Sequence, residues 1–302
     1  MTADVVIVTF NSGDAVVRCL ELLGDAPAII VDNASTDGTP DRIAERFPDA
    51  RLVRNADNVG FGRAVNQGAA LGEGSAIVLL NDDVEPEPGF VAALLEQLER
   101  DERVGMVAGL LLMPGGEVVD GFGVEADPTL AVYNRLRGRS PEETPGRLLG
   151  PSGGAAAYRR SAWDQAGGFD ERLFAYGEDV DLALRLRGAG WTAVAAPGAR
   201  GIHLGGRSFG VDSPLQRRLG GVARGFLLRR WSVLRSRAAG RALAHEALVV
   251  GWGLVRHRSL IPLTARIEGW RLASGGRHVL PPDAVDERIG FAESLRRLRS
   301  AR

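Results

Sequence analysis

Lysine is missing from this chain: all 37 of its basic residues are arginine. So complete a bias reflects genomic composition and carries no information about phosphate chemistry. Cysteine is nearly missing as well. The single Cys19 excludes an internal disulfide and a small disulfide-stapled secreted scaffold, and the expectation is a reducing compartment. The N-terminus has no basic segment, and its apolar stretch is too short for a signal peptide, so it reads as an immediate buried strand. In the C-terminal part, the longest apolar run, residues 247–255, falls far short of the roughly 20 residues needed to span a bilayer. No internal repeat is present. The expected location is the cytoplasm, with peripheral docking on the inner face of the plasma membrane as the alternative.

What is present describes a globular protein. Hydrophobic residues make up 45% and charged residues 25% of 302 residues, enough for one large domain or one domain with an appendage. The formal net charge of −1 conceals an asymmetry, because residues 212–302 hold 18 arginines against 7 acidic residues. An acidic first part and a basic tail have different partners.

Over the first ~110 residues, strand and helix signals alternate at the spacing of βαβ units. Residues 5–10 and 28–31 and Ala76–Leu80 are apolar runs of the kind buried on both faces, and Arg51–Arg54 is a weaker strand candidate. Helical spacing runs over Asp14–Leu23 and residues 40–47 and 62–71, with Pro40 suited to a first turn behind Asp37-Gly38-Thr39. The pattern predicts an α/β fold with a mostly parallel central sheet flanked by helices. Residues 113–150 are rich in Gly, Pro and charge and read as loops and short, partly mobile strands. After them come a strand at 155–158, helices at 161–166 and Glu178–Gly188, and a strand at 192–195. From Pro214 the chain reads as a basic helical extension, so the expected domains are 1–211 and 212–302.

In an open parallel sheet, ligands bind beyond the carboxyl ends of the strands. Strand one ends at Thr9-Phe10-Asn11, strand two at Asp32-Asn33 and strand four at Asn81-Asp82-Asp83. Each cluster alone is an ordinary turn after a strand, but three on one edge point to a site. A carboxylate fixed at a strand end can hold Mg²⁺ or Mn²⁺ while phosphate oxygens complete the shell, which neutralises a diphosphate leaving group.

Four segments carry a resemblance: Val6-Ile-Val-Thr-Phe-Asn-Ser, Ile30-Val-Asp-Asn-Ala-Ser-Thr-Asp-Gly-Thr, Asn58-Val-Gly-Phe-Gly-Arg-Ala-Val-Asn-Gln-Gly and Leu79-Leu-Asn-Asp-Asp-Val. They are followed by Gly177-Glu-Asp-Val-Asp-Leu-Ala-Leu-Arg-Leu-Arg-Gly-Ala-Gly-Trp and Ile202-His-Leu-Gly-Gly-Arg-Ser. In wording, order and spacing, residues 3–210 resemble the family 2 glycosyltransferases of the GT-A fold. The likeness is strongest to the bacterial branch of rhamnosyltransferases and galactofuranosyltransferases of cell-wall assembly.

The resemblance implies roles residue by residue. Thr9, Asp32 and Asn33 match the base-reading positions, where many relatives carry two consecutive Asp residues. Asn58, Gly60 and Asn66 match the segment near the donor's ribose and phosphates, with Arg63 a candidate phosphate contact. Asn81, Asp82 and Asp83 match an Asp-x-Asp signature in variant form; Asp83 is the expected metal ligand and Asp82 a neighbour of the sugar. His203 matches the late histidine that completes the metal shell. Glu178-Asp179 matches the catalytic-base motif. Asp179 is the expected base and Glu178 either orients it or binds the acceptor, although acids at a helix N-terminus are favoured by the helix dipole in any case. Asp181 on the same helix is expected to face a structural partner. Gly153 and Gly154 are expected to line an acceptor channel; Trp191 follows a helix stop and reads first as core, with stacking on a sugar as the alternative.

The implied activity is inverting, metal-dependent transfer from a nucleotide-diphosphate sugar to a hydroxyl of a cell-envelope glycan or polyprenyl-linked acceptor. The first choice of donor is dTDP-rhamnose; the alternative is a galactofuranosyl or hexosaminyl UDP-sugar. A sugar-1-phosphate nucleotidyltransferase should carry a Gly-rich loop with basic residues after strand one, and Thr9-Phe-Asn-Ser-Gly-Asp lacks them. An inactive nucleotide-sugar-binding scaffold would have lost the carboxylates. In the tail, Arg217, Arg218, Arg224, Arg229, Arg230, Arg235, Arg237 and Arg241 interleave with Leu215, Leu219, Phe226, Leu227, Leu228, Trp231 and Leu234. That pattern suits an anionic membrane surface; a solvated appendage or an oligomer contact is the alternative. No nucleic-acid module accompanies the charge.

Overall fold

The computed structural model describes residues 1–24, 26–205, 212–273 and 278–300, with side chains to 297. The elements in chain order are β1 (Ala3–Thr9), α1 (Asp14–Leu23), β2 (Ala28–Asp32), α2 (Thr39–Arg46), β3 (Arg51–Arg54), α3 (Phe61–Leu71), β4 (Ala76–Leu80), β5 (Val84–Pro86), α4 (Phe90–Arg100) and β6 (Val104–Leu112). Then come β7 (Val119–Gly121), β8 (Val124–Ala126), β9 (Val132–Asn134), β10 (Ala155–Arg159), α5 (Arg160–Ala166), α6 (Glu178–Gly188) and β11 (Thr192–His203). Four helices finish the chain: α7 (Pro214–Arg230), α8 (Ala239–His257), α9 (Ile261–Leu272) and α10 (Phe291–Ser300).

The main sheet runs β3-β2-β1-β4-β10-β6-β11-β5, with β7 added to β6. β1 to β4 are mutually parallel, as the βαβ alternation requires, and β11 is parallel to β6. The sheet is nonetheless mixed, because β10 enters between β4 and β6 antiparallel to both and β5 runs antiparallel to β11. Every residue of β4 and β6 is buried, the pattern of strands covered on both faces. Two apolar layers sandwich the sheet: Val16, Leu20, Ile43, Leu94 and Leu98 pack on one face, and Val65, Trp163, Leu182 and Leu186 on the other. This is the α/β sheet with flanking helices expected of a GT-A fold.

Two regions depart from the expectation. Residues 113–150 are not loose: Val119, Phe122, Val124, Leu130, Tyr133 and Leu149 are all buried, and Val124, Leu130 and Tyr133 belong to the β8–β9 hairpin. Their density of Gly and Pro shapes tight turns between packed segments. β11 also runs well past the expected 192–195, continuing to His203 through a register shift between Ala196 and Arg200.

The C-terminal helices correct the reading of the basic tail. α7 begins at a Ser213 cap, whose Oγ accepts from Gln216 N at 3.1 Å, followed by Pro214 in the first turn, a favoured start. Its apolar residues turn inward: Leu219, Phe226, Leu227, Leu228 and Trp231 are buried, and Leu227, Leu228 and Trp231 share one core with Val180 and Leu182 of α6. Polar contacts seal that seam. The buried Asp181 carboxylate meets Arg185 at 2.8 Å on its own helix, and Arg230 at 2.7 Å and Trp231 Nε1 at 3.1 Å from α7, so Asp181 has the structural role expected of it. The apolar residues left outside lie instead on α8 and α9, including Leu248, Trp252, Val255, Leu263, Ile267 and Trp270. Among the described residues, no helix is long and apolar enough to cross a membrane.

Candidate active site

A cleft of about 680 Å³ opens at the carboxyl edge of the sheet, where the strand-order rule places ligands. Val8 and Phe10 of β1, Asn33 after β2, Asn81, Asp82 and Asp83 after β4, and Gly153 and Gly154 before β10 line it. Glu178 and Asp179 of α6 and His203 of β11 line it too. Residues more than 100 positions apart in sequence thus meet around one space.

Strand pairing explains how His203 reaches the carboxylates. β11 pairs with β5 so that His203 faces Val84, and Leu204 N donates to Asp83 O at 3.0 Å. His203 Nε2 lies 3.1 Å from Asp83 Oδ1. The other ring nitrogen, Nδ1, lies 2.6 Å from Asp120 Oδ2, and Arg137 holds the second oxygen of Asp120 at 2.7 Å. Both β11 and β7 pair with Leu112 of β6, through Ile202 and Val119. The following residues, His203 and Asp120, are thereby brought together. Burial works against protonation of His203, but Asp120 and Asp83 outweigh it and push the imidazole up to about 10. Asp120 was invisible in the sequence, where it is one acid in a Gly-rich stretch with no motif around it. Gly206, Arg207 and Ser208 of the late histidine motif lie outside the described residues.

The remaining members of the triplet differ in setting. Thr9 Oγ1 donates to Ser12 Oγ at 2.8 Å, and Ser12 Oγ donates to Asp82 Oδ2. Burial, with the neighbouring Asp83 charge adding, raises Asp82 to about 6 against that hydrogen bond. Asn81 is fixed by its backbone, its N–H donating to Gly154 O at 3.1 Å. Among the described residues, no group of three His, Cys, Asp or Glu side chains is arranged to hold a cation alone. Asp83 and His203 offer two donors, and the carboxylate on Nδ1 is the outer partner that metal-ligating histidines ordinarily have. Two protein donors with substrate phosphates completing the shell is a fitting set for Mg²⁺ or Mn²⁺.

Across the cleft, α6 starts behind Gly177, which adopts φ 82°. Asp179 Oδ2 accepts from Gly153 N at 3.2 Å, and its Oδ1 accepts from Val180 N at 2.7 Å. Glu178 is 5% exposed, and its Oε2 has no partner among the described residues. Burial raises both carboxyls, and the Asp179 charge adds to the rise at Glu178. Gly153 leaves room for the Phe61 ring: a Cβ there would meet Phe61 Cε1 at 2.9 Å.

Several expected donor-side residues stand behind the wall. Thr9 and Asp32 are buried at 0% and 2% exposure. Asp32 Oδ1 accepts from Ser35 N at 3.0 Å, and its Oδ2 has no partner among the described residues. Asn33 braces the loop that follows β3: Nδ2 donates to Asn58 Oδ1 at 2.9 Å and to Gly60 O at 3.3 Å, while Oδ1 accepts from Val59 N at 3.1 Å. Asn58 lines the cleft. Gly60 combines φ 89° with a Cβ position 2.5 Å from Phe174 O, so a side chain is excluded on both counts. Asn66 is a brace, accepting from Phe169 N at 2.9 Å and donating to Phe169 O at 3.0 Å. Arg63 pairs loosely with Glu171 at 3.6 Å and is not among the cleft's lining residues. Trp191 is not among them either. Its Nε1 donates to Gln165 Oε1 at 2.7 Å and its ring packs over Gly105 and the core, because the turn ending α6 lies away from the carboxyl edge.

Comparison with known proteins agrees with this architecture. The profile described as "Glycosyl transferase family 2" matches residues 4–166. An N-acetylglucosaminyl-diphospho-decaprenol L-rhamnosyltransferase of Mycobacterium tuberculosis is 37% identical over 241 residues, which cover 69% of this chain and 78% of that protein. The O-antigen biosynthesis protein RfbC of Myxococcus xanthus is 32% identical over 186 residues, 58% of this chain and 14% of that one. Among solved structures, GalNAc-T7 with UDP, GalNAc and Mn²⁺ superimposes with TM-score 0.57 at 17% identity, over 76% of this chain and about half (48%) of that one. The mannosyltransferase PcManGT of Pyrobaculum calidifontis with GDP-Man and Mn²⁺ gives TM-score 0.55 at 19% identity, over 99% and 85% of the two chains. The family match over more than half of the chain, with the 37% identical relative, shows that the chain belongs to glycosyl transferase family 2 and is a glycosyltransferase.

Proposed function

We propose that the chain transfers rhamnose from dTDP-rhamnose, with inversion, to a hydroxyl of an N-acetylglucosaminyl-diphospho-polyprenol. The observation that carries the reading is one cleft holding the Asp83–His203 pair on one side and the Glu178–Asp179 pair on the other. The rhamnosyl group and the acceptor rest on the relative of Mycobacterium tuberculosis, whose name gives both, and the dTDP carrier rests on the resemblance of the motifs.

In this reading Asp83 and His203 hold a divalent cation, which when bound neutralises charge on the departing nucleoside diphosphate. Asp82, in line with Thr9 and Ser12, faces the sugar. Asn33 acts by setting the position of Asn58 and Gly60 against the nucleotide, and Asp32, behind the wall, holds the turn after β2 through Ser35 N. Asp179 takes the proton from the acceptor hydroxyl as that oxygen attacks the anomeric carbon, and displacement from the opposite face inverts the centre. Glu178, beside it at the start of α6, orients Asp179 or binds the acceptor. The glycines at 153 and 154 let the acceptor approach. A panel of dTDP-rhamnose, UDP-galactofuranose and UDP-N-acetylglucosamine should give transfer with dTDP-rhamnose alone; turnover of either UDP-sugar in its place assigns the donor differently.

Asp120 belongs to the metal site in this reading. Asp120→Asn keeps the size of the side chain and removes the charge on His203 Nδ1. The variant should bind Mn²⁺ about 10–100-fold more weakly, the usual cost of losing an outer-shell carboxylate, as measured by Mn²⁺ titration followed by EPR. Unchanged Mn²⁺ affinity would confine Asp120 to a packing role.

The lipid tail of such an acceptor lies in a membrane, and the face that suits an anionic bilayer is that of α8 and α9. Leu248, Trp252 and Val255 follow one another at i, i+4 and i+7, as do Leu263, Ile267 and Trp270, so each set shares one side of its helix. Arg256, Arg258 and Arg271 flank them, a combination that fits apolar insertion beside acidic headgroups. Co-sedimentation with phosphatidylglycerol vesicles should be lost in Leu248→Glu/Trp252→Glu. Retained sedimentation would leave this face without a membrane role.

A further inference from the structure

The C-terminal helices place a charged cluster on the wall of the same cleft, and none of the steps above uses it. Arg224 of α7, His245 of α8 and Arg266 of α9 all line the cavity. Arg224 Nε donates to Glu246 Oε1 at 2.7 Å, and Arg266 Nε donates to Oε2 of the same carboxylate. Two guanidiniums therefore share one carboxylate, leaving a positive charge uncompensated. On the adjoining hairpin, Asp127 is engaged by Arg241 at 2.7 Å. Around the cluster, the lining is apolar: Leu130, Ala131, Val132, Leu227 and Val249.

The cluster also holds unspent nitrogens. Among the described residues, His245 Nε2 and Arg224 Nη2 are buried without a partner, and His245 is 4% exposed. Its other nitrogen, Nδ1, faces Glu246 Oε1 at 3.4 Å, so the ring turns Nε2 away from that carboxylate. A buried unpaired donor costs roughly 1–3 kcal/mol, and a surplus charge against an apolar wall adds to that cost. Both costs vanish when an anion with several acceptor oxygens binds.

We propose that Arg224, His245 and Arg266 form an anion subsite for a diphosphate, and that this diphosphate is the one carried by the lipid-linked acceptor. The assignment to the acceptor rests on the function proposed above. The donor's diphosphate is placed at Asp83 and His203, and the apolar residues around the helical cluster suit the first prenyl units that follow an acceptor's diphosphate.

The test uses the full-length protein and geranyl diphosphate as probe, in buffer with EDTA so that the metal site is silent. Isothermal titration should detect binding in the wild type. His245→Phe and Arg266→Met should weaken it about 10-fold or more, the loss of one charge-assisted hydrogen bond, while His245→Gln, which retains a donor, restores most of it. Thermal melts establish that the variants are folded. In turnover, the same variants should raise KM for the N-acetylglucosaminyl-diphospho-prenol acceptor at unchanged kcat. They should leave KM for octyl N-acetylglucosaminide, which has no diphosphate, unaltered. Absent binding in the wild type overturns the subsite. Weakened dTDP binding in the variants overturns its assignment to the acceptor, and equal losses on both acceptors reduce it to a structural role. The titration needs no donor, so a wrong donor assignment leaves its outcome readable.

Discussion

Asp83→Ala should lower transfer by about 10³-fold or more while leaving the fold intact. The carboxylate is one of two protein donors on its side of the cleft, and its Oδ1 lies 3.1 Å from His203 Nε2. Charge stabilisation by a bound cation is worth several kcal/mol, and a loss of about 4 kcal/mol is about three decades in rate. The substitution removes no core volume, because Asp83 is buried at the cleft edge rather than among apolar side chains. Steady-state transfer with Mn²⁺, paired with an Mn²⁺ titration, separates the causes. Activity and metal affinity should fall together, and a variant that loses activity at unchanged affinity would remove Asp83 from the metal shell.

Asp179→Asn should lower kcat by about 10²–10⁴-fold, the usual contribution of a general base, with little change in the affinity for nucleotide. The side chain stays in place because both of its hydrogen bonds come from backbone N–H groups, at Gly153 and Val180, and an amide oxygen can accept one of them. The same setting fixes the pH dependence. Burial raises the Asp179 carboxyl above the ordinary aspartate range, and a base must be ionised to work, so the acid limb of kcat/KM should lie above that range, toward neutrality. Stability runs the other way. Burial, with the charge of Asp179, raises Glu178, so the folded state holds its proton more tightly than the unfolded chain does. The stability this brings is full below the ordinary glutamate range and is lost as pH rises through the raised value. Glu178→Gln should accordingly melt higher than the wild type at neutral and alkaline pH and about equally at acid pH. An acid limb at the ordinary aspartate value, or a glutamine variant no more stable at pH 8, would contradict the burial of this pair.

How much of this was legible in the sequence depends on the kind of signal. The apolar runs of β1, β2 and β4 and the polar residues ending them located the cleft edge, because period and turn chemistry are local. Asp83, Asp179 and His203 were placed by motif order, and the structure brings all three to one cavity. Asp120 carried no local signal; its position follows from β7 and β11 both pairing with Leu112, which is a fact of topology. The long-range brace at Asn66 was read as a ligand contact for the same reason, since an amide that ties a loop looks like one that faces a substrate. In the tail, the amphipathic pattern was real, but a pattern identifies only an apolar face and not what covers it. Leu227, Leu228 and Trp231 are covered by α6 and its neighbours, and the outward face passed to α8 and α9. Arg224 was read as part of an outward basic face, whereas Glu246 ties it to Arg266 at the cleft.

The central claim is that one cleft joins a cation-binding carboxylate to a base on the opposite wall and inverts a sugar between them. The most direct measurement is the anomeric configuration of the product formed from dTDP-β-L-rhamnose and the lipid-linked acceptor, read by NMR with Mn²⁺ and again with EDTA. The account predicts an α-linked rhamnoside with Mn²⁺ and no product with EDTA. A β-linked product, or transfer undiminished by EDTA, would contradict it.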